Sequence, residues 1–365
     1  MVSWPWQVLW PATPALVAPD IAFDAAGAIA QALALLRHGD ALALSVAAAA
    51  LAAVALDALL GEPRRWHPLS GFGQLATVLE RRLNRREDAA GRPRSASSRR
   101  LLGAVAWLAL VGVPAIASAA LIALCSRLDP WLGWLLHAAG LYLALGARSL
   151  REHIAPIAQA LREADLPLAR VLTARIVSRD TADADAEALA RAACESALEN
   201  GNDAVFGAVF WFALGGAPAA IAYRLANTLD AMWGYRTDAL RDFGWAAARL
   251  DDLLNLAPAR LTALSYALLG ATGQALHCWR RQAPAWSSPN AGPVMAAGAG
   301  ALGVRLGGPA RYHGQWEERP PLGTGAAPTA SHIRASLELV RRTLSLWLAV
   351  LFALGLARLA AGVPA

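Results

Sequence analysis

The chain has 365 residues, of which 56% are hydrophobic and only 16% charged, and its mean hydropathy of +0.37 excludes an ordinary soluble enzyme and suits a membrane protein. All 33 basic residues are arginine, which excludes lysine Schiff-base chemistry and a P-loop lysine. The pI near 9.9 does not read as nucleic-acid binding, because the arginines cluster between hydrophobic segments, where they mark the cytoplasmic side of a bilayer.

Residues 1–40 are an N-terminal extension broken by Pro5, Pro11, Pro14 and Pro19. It has no basic leader, so the first span is expected to act as its own insertion signal. Residues 41–365 read as a single membrane domain. Residues 41–60 supply the roughly twenty apolar residues that cross a bilayer. Residues 61–100 carry ten arginines and are cytoplasmic by the positive-inside rule. They hold an amphipathic helix over 72–84 and a run, Arg81, Arg82, Arg85 and Arg86, suited to phospholipid headgroups. Residues 101–125 and 131–147 form a hairpin of two spans. His137 in the second is either functional or a neutral histidine bonded to a neighbouring helix.

Residues 148–204 are polar and helical. Residues 205–223 are apolar but interrupted by Gly215, Gly216 and Pro218, and residues 256–276 open on Pro258 and Arg260; each segment either crosses or re-enters. Residues 277–328 read as loops around a short small-residue helix, followed by an amphipathic stretch over 333–342 and a last span over 344–363. Cys125, Cys194 and Cys278 are too far apart in sequence to indicate a disulfide framework or thiolate metal site. The expected fold class is all-α: a polytopic membrane helical protein with four transmembrane helices and the two ambiguous or re-entrant segments. Its cytoplasmic helical and loop-rich catalytic region comprises 61–100, 148–255 and 277–342.

Chemistry concentrates in residues 175–255, which hold 12 of the 27 acidic residues but 7 of the 33 basic ones. In RDTADADAEALARAACESALEN, Thr181 or Asp183 caps a helix over about 184–199. Arg191, Glu195 and Glu199 share one face of it, continued into a loop by Asn200, Asn202 and Asp203. YRLANTLDAMWGYR places Tyr223, Asn227 and Asp230 near one face, with Arg224 and Arg236 at the ends. RDFGWAAARLDDLLNLAPARL aligns Arg241, Arg249, Asp251, Asp252 and Asn255. An Arg191 to Glu195 ion pair on a solvated face accounts for the first cluster alone. Three such clusters between apolar helices favour a site, because buried polar groups need partners. Carboxylates and amides are hard oxygen ligands suited to Mg²⁺ carrying a polyphosphate, and arginines clamp phosphate or carboxylate. No P-loop, Rossmann or Gly-x-Ser-x-Gly pattern is present. His67 and His313 are acid/base candidates without a clear sequence partner.

Seven segments carry a resemblance: DALLGEPRRWHPLSGFG (57–73), RIVSRDT (175–181), ESALENGNDAVFGAVFW (195–211), YRLANTLDAMWGYR (223–236), DFGWAAARLDDLLNLAPARLTA (242–263), SPNAGPVMAAGAGALGVRLGG (288–308) and YHGQWEERPPLG (312–323). Together and in this order, over about residues 56–356, they resemble the CobD/CbiB family of cobalamin biosynthesis, the adenosylcobinamide-phosphate synthases. The chain departs from the family's pattern at Gly61-Glu62-Pro63 for Gly-Asp-Pro, Asp203-Ala204 for Asp-Gly, Gly207-Ala208 for Ala-Pro and Pro293-Val294 for Trp-Pro. These departures bear on backbone shape more than on chemistry.

The resemblance implies ATP-dependent amide synthesis, joining (R)-1-aminopropan-2-yl phosphate or a related amino alcohol to the free propionate of adenosylcobyric acid through an acyl phosphate, with ATP and Mg²⁺ as cofactors. Glu195, Glu199, Asp203, Asp230 and Asp252 are then expected to be catalytic, with Asp230, Asp251 and Asp252 holding metal. Arg175, Arg179, Arg224, Arg236 and Arg249 would bind phosphate. His67, Asn200, Tyr223, Asn227, Asn255 and Asn290 would bind or orient substrate. It also implies a multi-pass protein of the bacterial inner membrane with cytoplasmic catalytic loops. Its expected partners are the corrinoid, the amino-alcohol phosphate, the lipid bilayer and other late membrane enzymes of cobalamin biosynthesis, with no nucleic acid. Cytoplasmic ATP chemistry requires residues 205–223 to re-enter or pack rather than cross. Two other classes compete: a membrane transporter, favoured by the apolar spans and His137, and a polytopic Mg-dependent prenyltransferase-like enzyme, which NTLD and DDLLN echo.

Overall fold

The computed structural model describes residues 45–62, 68–87, 94–235 and 237–360; the 1–40 extension, His67 and Arg236 lie outside the described residues. The first helices are α1 (Ser45–Leu60), α2 (Pro68–Leu83), α3 (Ala96–Leu128) and α4 (Pro130–Ala144). A π turn at Leu108–Gly112 interrupts α3 just ahead of Pro114, whose missing N–H breaks the i→i−4 ladder. The expected α3–α4 hairpin is present, but α4, at 15 residues, is shorter than the span expected over 131–147 and is not among the stretches long enough to cross. Asp129 ends α3, and its side chain accepts from the Trp131 N–H at 2.7 Å, a cap worth about 1 kcal/mol. Leu101, Leu108, Ile116, Leu124 and Leu128 are exposed along α3, as a lipid-facing helix requires.

Next come α5 (Ala147–Arg162), α6 (Leu166–Ala174) and α7 (Ala186–Gly201). The cap of α7 is neither Thr181 nor Asp183 but Asp185, which accepts from the Ala188 N–H at 2.8 Å. Tertiary partners claim the other two: the Thr181 hydroxyl donates to the Arg170 carbonyl at 3.1 Å, and Asp183 pairs with Arg311 at 3.3 Å. Beyond α7 the chain does not loop. It passes through a π turn, Asn202–Phe206, into α8 (Gly207–Trp233).

Among the described residues, three stretches are long and apolar enough to cross a membrane: Ala96–Leu128, Ala186–Trp233 and Ala330–Arg358. The middle one is not a straight rod. Gly215 (φ −142°, ψ 20°) and Gly216 (φ 63°, ψ −159°) leave helical geometry, and the second lies in a region open essentially to glycine alone. The chain folds back there. The Tyr223 hydroxyl oxygen lies 3.3 Å from the Asp203 carbonyl oxygen, whereas a straight helix would hold those residues about 30 Å apart. Gly207 makes the return possible, since a Cβ there would run into the Tyr223 ring. That approach shows that the hairpin returns to the end it left. At its tip His137 Nδ1 accepts from the Ala217 N–H at 3.1 Å, an amide that the break at Gly216 frees. His137 is therefore bonded to a neighbouring helix, the second of its two sequence readings.

The remaining helices are α9 (Trp245–Leu254), α10 (Leu256–Leu269), α11 (Thr272–Gln282), α12 (Ala291–Leu302) and α13 (Ala330–Ala360). At 14 residues, α10 is about 21 Å long and too short to span. The stretches expected separately over 333–342 and 344–363 are one helix, α13, because no breaker separates them. Residues 277–328 are more structured than loops. They add β1 (Leu306–Gly307), β2 (Ala310–Tyr312), β3 (Gln315–Glu317) and β4 (Pro321–Leu322), with β2 pairing antiparallel to β3 and β1 to β4. The β2–β3 turn is His313-Gly314 with φ of 49° and 80°, the conformation of a tight hairpin turn. The main core gathers Leu141, Ile154, Leu198, Phe206, Phe212 and Tyr266 around the hairpin. A second core packs Phe72, Leu110, Leu229, Trp233 and Phe243 at its returning end. There the Trp233 and Phe243 rings meet edge to face at 5.0 Å, worth about 1 kcal/mol beyond area burial.

Candidate functional site

The hairpin determines the site. By bending back it brings Asp203, at its entry, beside Asp230, near its exit, and α9 and the start of α12 close the space. The resulting cavity of about 400 Å³ is lined by Glu199, Asn202, Asp203, Asp230, Asp251, Asp252, Asn255 and Asn290, with Gly234, Ala248 and the 287–289 turn. All three acidic clusters meet here. Five carboxylates line one cavity, and among the described residues no basic side chain is in the lining. Among the described residues, Glu199 and Asp230 have no hydrogen-bond or ion-pair partner.

Asp203 and Asp251 are held by amides. Asn202 Nδ2 donates to Asp203 Oδ1 at 2.9 Å and to Asn255 Oδ1 at 2.8 Å. Asp251 accepts from Asn227 Nδ2 at 3.2 Å and from Asn255 Nδ2 at 3.1 Å. Burial pushes the Asp251 carboxyl well above its ordinary range; the nearby negative charge of Asp230 and Asp203 adds to the rise, and the two amides oppose it. Asn290 ties the mouth together: its Nδ2 donates to the Asp252 carbonyl at 2.8 Å, and its Oδ1 accepts from Arg260. Asp252 meets Arg249 at 3.8 Å with both side chains partly exposed, a pair worth at most about 1 kcal/mol.

Several expected residues lie elsewhere. Glu195, one turn before Glu199, accepts from Arg179, from Arg319 at 3.1 Å and from the Gly307 N–H at 2.7 Å, and is not in the cavity lining. Its pairing with Arg191 does not form, because Arg191 turns to Glu187 at 2.6 Å. Asn200 Nδ2 bonds back to the Ser196 carbonyl at 2.9 Å. Arg175 caps the end of α6. Of the five arginines expected on phosphate, the described four, Arg175, Arg179, Arg224 and Arg249, stay outside the lining. Arg224 stands behind Asp203 with a buried Nε that has no hydrogen-bond partner. His313 sits in the β2–β3 turn. Cys194 and Cys278 are buried free thiols, and Cys125 is a half-buried one.

Two contributors escaped the sequence reading. Asn202 was visible only as a continuation of the acidic stripe, yet it bonds both neighbouring clusters. Thr262, between Leu261 and Ala263 on a mostly apolar helix, donates to Asn202 Oδ1 at 3.0 Å. Nothing in the spacing signals it.

The molecule is thus a predominantly helical, polytopic membrane protein with a cavity of hard oxygen donors at the open end of a helical hairpin. Comparison with known proteins places it more narrowly: the family model described as CobD/Cbib protein matches residues 50–340, and the chain belongs to the CobD/CbiB family. It is 57% identical over 308 residues to "Cobalamin biosynthesis protein CobD" of Stutzerimonas stutzeri, covering 84% of this chain and 97% of that one. Identity is 55% over 298 residues to the protein of the same name from Chromobacterium violaceum, with 82% and 93% covered. It is 40% over 291 residues to that from Mycobacterium tuberculosis, with 78% and 88% covered. No solved structure matches the chain.

Proposed function

We propose that this protein works in cobalamin biosynthesis as an adenosylcobinamide-phosphate synthase. It would join the amine of (R)-1-aminopropan-2-yl phosphate, or a related amino alcohol, to the free propionate of adenosylcobyric acid at the expense of ATP. The observation that carries this reading is the convergence of Glu199, Asp203, Asp230, Asp251 and Asp252 on one cavity, with no basic side chain among the described residues of its lining. Five facing carboxylates repel one another and call for a cation, as Mg²⁺-borne phosphate and an ammonium group both provide.

The donor set fits Mg²⁺. Among the described residues no three His, Cys, Asp or Glu side chains close on a single point; Mg²⁺ is commonly held by one or two carboxylates, keeping water and taking phosphate oxygens for the rest. Asp230 and Asp251 would hold it, with Asp203 and Asp252 beside them. When bound it would screen the phosphate charge that otherwise opposes attack by a carboxylate. Glu199 faces the same space and is placed to receive the ammonium of the amine substrate. The corrin is too large for about 400 Å³, so only its propionate arm would enter, past Asp252 and the 287–289 turn. With the hairpin returning to its starting end, all of these groups share one side of the membrane, which we assign to the cytoplasm.

The test is reconstitution in lipid nanodiscs with cobyric acid, the amino-alcohol phosphate, ATP and Mg²⁺, and mass spectrometry of the corrinoid. Amide product that vanishes when ATP or Mg²⁺ is omitted is the expected result. Unchanged cobyric acid under all conditions, from protein that restores no cobinamide-requiring strain, would overturn the reading.

A further inference from the structure

We infer that Thr262 and Tyr223 are positioning residues whose hydroxyls fix the Asn202 and Asn255 carboxamides, and through them aim Asp203 and Asp251 at a bound divalent cation. The inference rests on the Mg²⁺ site proposed above.

A carboxamide presents an acceptor on one side and two donors on the other, so its direction decides whether it supports a carboxylate or repels it. Asn202 gives both Nδ2 protons away, one to Asp203 Oδ1 and one to Asn255 Oδ1. Its Oδ1 accepts from the Thr262 hydroxyl. Asn255 Oδ1 takes two donors, Asn202 Nδ2 and, at 2.8 Å, the Tyr223 hydroxyl, which leaves its Nδ2 directed at Asp251 Oδ2. Were either amide reversed, oxygen would face carboxylate oxygen. Asn202, Asn255, Tyr223 and Thr262 are each at most 2% exposed, so water does not replace a missing donor.

The two hydroxyls come from different elements, Tyr223 from the returning arm of α8 and Thr262 from α10. Neither lines the cavity. They act one bond behind the amides, as the outer partners of metal ligands commonly do. Thr262 has the heavier share, because the contacts described give Asn202 Oδ1 no second donor. Asn255 Oδ1 keeps Asn202 if Tyr223 loses its hydroxyl. Neither role follows from packing: valine fills the space of threonine, and phenylalanine that of tyrosine, without the proton.

The test measures Mg²⁺-dependent binding of a fluorescent ATP analogue to the full chain in nanodiscs, with thermal unfolding in the absence of Mg²⁺ alongside. Thr262→Val is expected to raise the half-saturating Mg²⁺ about tenfold and Tyr223→Phe less, with analogue affinity at saturating Mg²⁺ retained. Thr262→Ser, which keeps the hydroxyl, is expected to return to within about twofold of the parent. A parental Mg²⁺ curve for Thr262→Val, or a Thr262→Ser variant as impaired as Thr262→Val, overturns the inference. If Thr262→Val does not fold, Tyr223→Phe decides by the same measurement, and an unshifted curve overturns it. Parent protein showing no Mg²⁺-dependent binding removes the cation site itself and this inference with it, an outcome distinct from a parent that binds and variants that do not differ.

Discussion

Glu195 and Glu199 stand one turn apart on the same face of α7, and they live in opposite surroundings. Glu195 is saturated by Arg179, Arg319 and the Gly307 N–H, and Arg319 in turn donates to the Gly308 carbonyl at 3.0 Å and stacks on Trp286 at 5.4 Å. That cluster pins the β1–β4 segment to α7. Glu199 opens into the acidic cavity with no hydrogen-bond or ion-pair partner among the described residues. A buried carboxylate whose valences are filled holds structure, whereas one left unfilled against others of its charge is kept for something that arrives.

The comparison can be broken from the cavity side first. Asp230→Ala is expected to abolish amide product, at least about a hundredfold, while thermal unfolding stays the same or moves upward, because the carboxyl removed has no hydrogen-bond or ion-pair partner among the described residues. Product at the parental rate would take Asp230 out of the site. On the other side, Glu195→Gln leaves Arg179 and Arg319, each 13% exposed, without their counter-charge. It is expected to destabilise the protein by about 3–5 kcal/mol, read from thermal or denaturant unfolding, without shifting the half-saturating Mg²⁺ of the folded fraction. A smaller and sharper effect lies in pH. Burial raises the Asp251 carboxyl well above its ordinary range, so the cation-free folded state holds a proton that the unfolded chain has already lost. Without Mg²⁺ stability should therefore decline as pH rises through the raised value. Mg²⁺ binding must expel that proton, so half-saturating Mg²⁺ should fall over the same rise, and calorimetry in buffers of different ionisation heat should register proton release. A Mg²⁺ affinity indifferent to pH would mean that Asp251 is already ionised.

Much of the cavity was legible because helical spacing is local. Glu199 with Asp203, Asn227 with Asp230, and Asp251 with Asp252 and Asn255 could be grouped from sequence, and residues from all three groups meet. Glu195 could not be separated from Glu199 by the same means, since Arg319, the residue that fills it, lies 124 positions away. Nor could spacing tell that Arg175, Arg179, Arg224 and Arg249 lie outside the cavity lining: charge next to an acidic motif does not fix which face the side chain takes. The cap of α7 was misplaced by two residues or more because Thr181 and Asp183 have tertiary partners, Arg170 and Arg311.

Composition and patterning alone determined that this is a helical membrane protein with its acidic clusters in residues 175–255, because apolar content and 3.6-residue periodicity are properties of neighbouring residues. Only the tertiary structure decided that the 203–233 segment is a hairpin rather than a crossing. Two adjacent glycines permit a fold-back but do not impose one. The Tyr223 ring against Gly207, the Ala217 amide on His137 and the Asn202–Asn255 amide bridge hold it closed, and each joins residues that the sequence sets far apart.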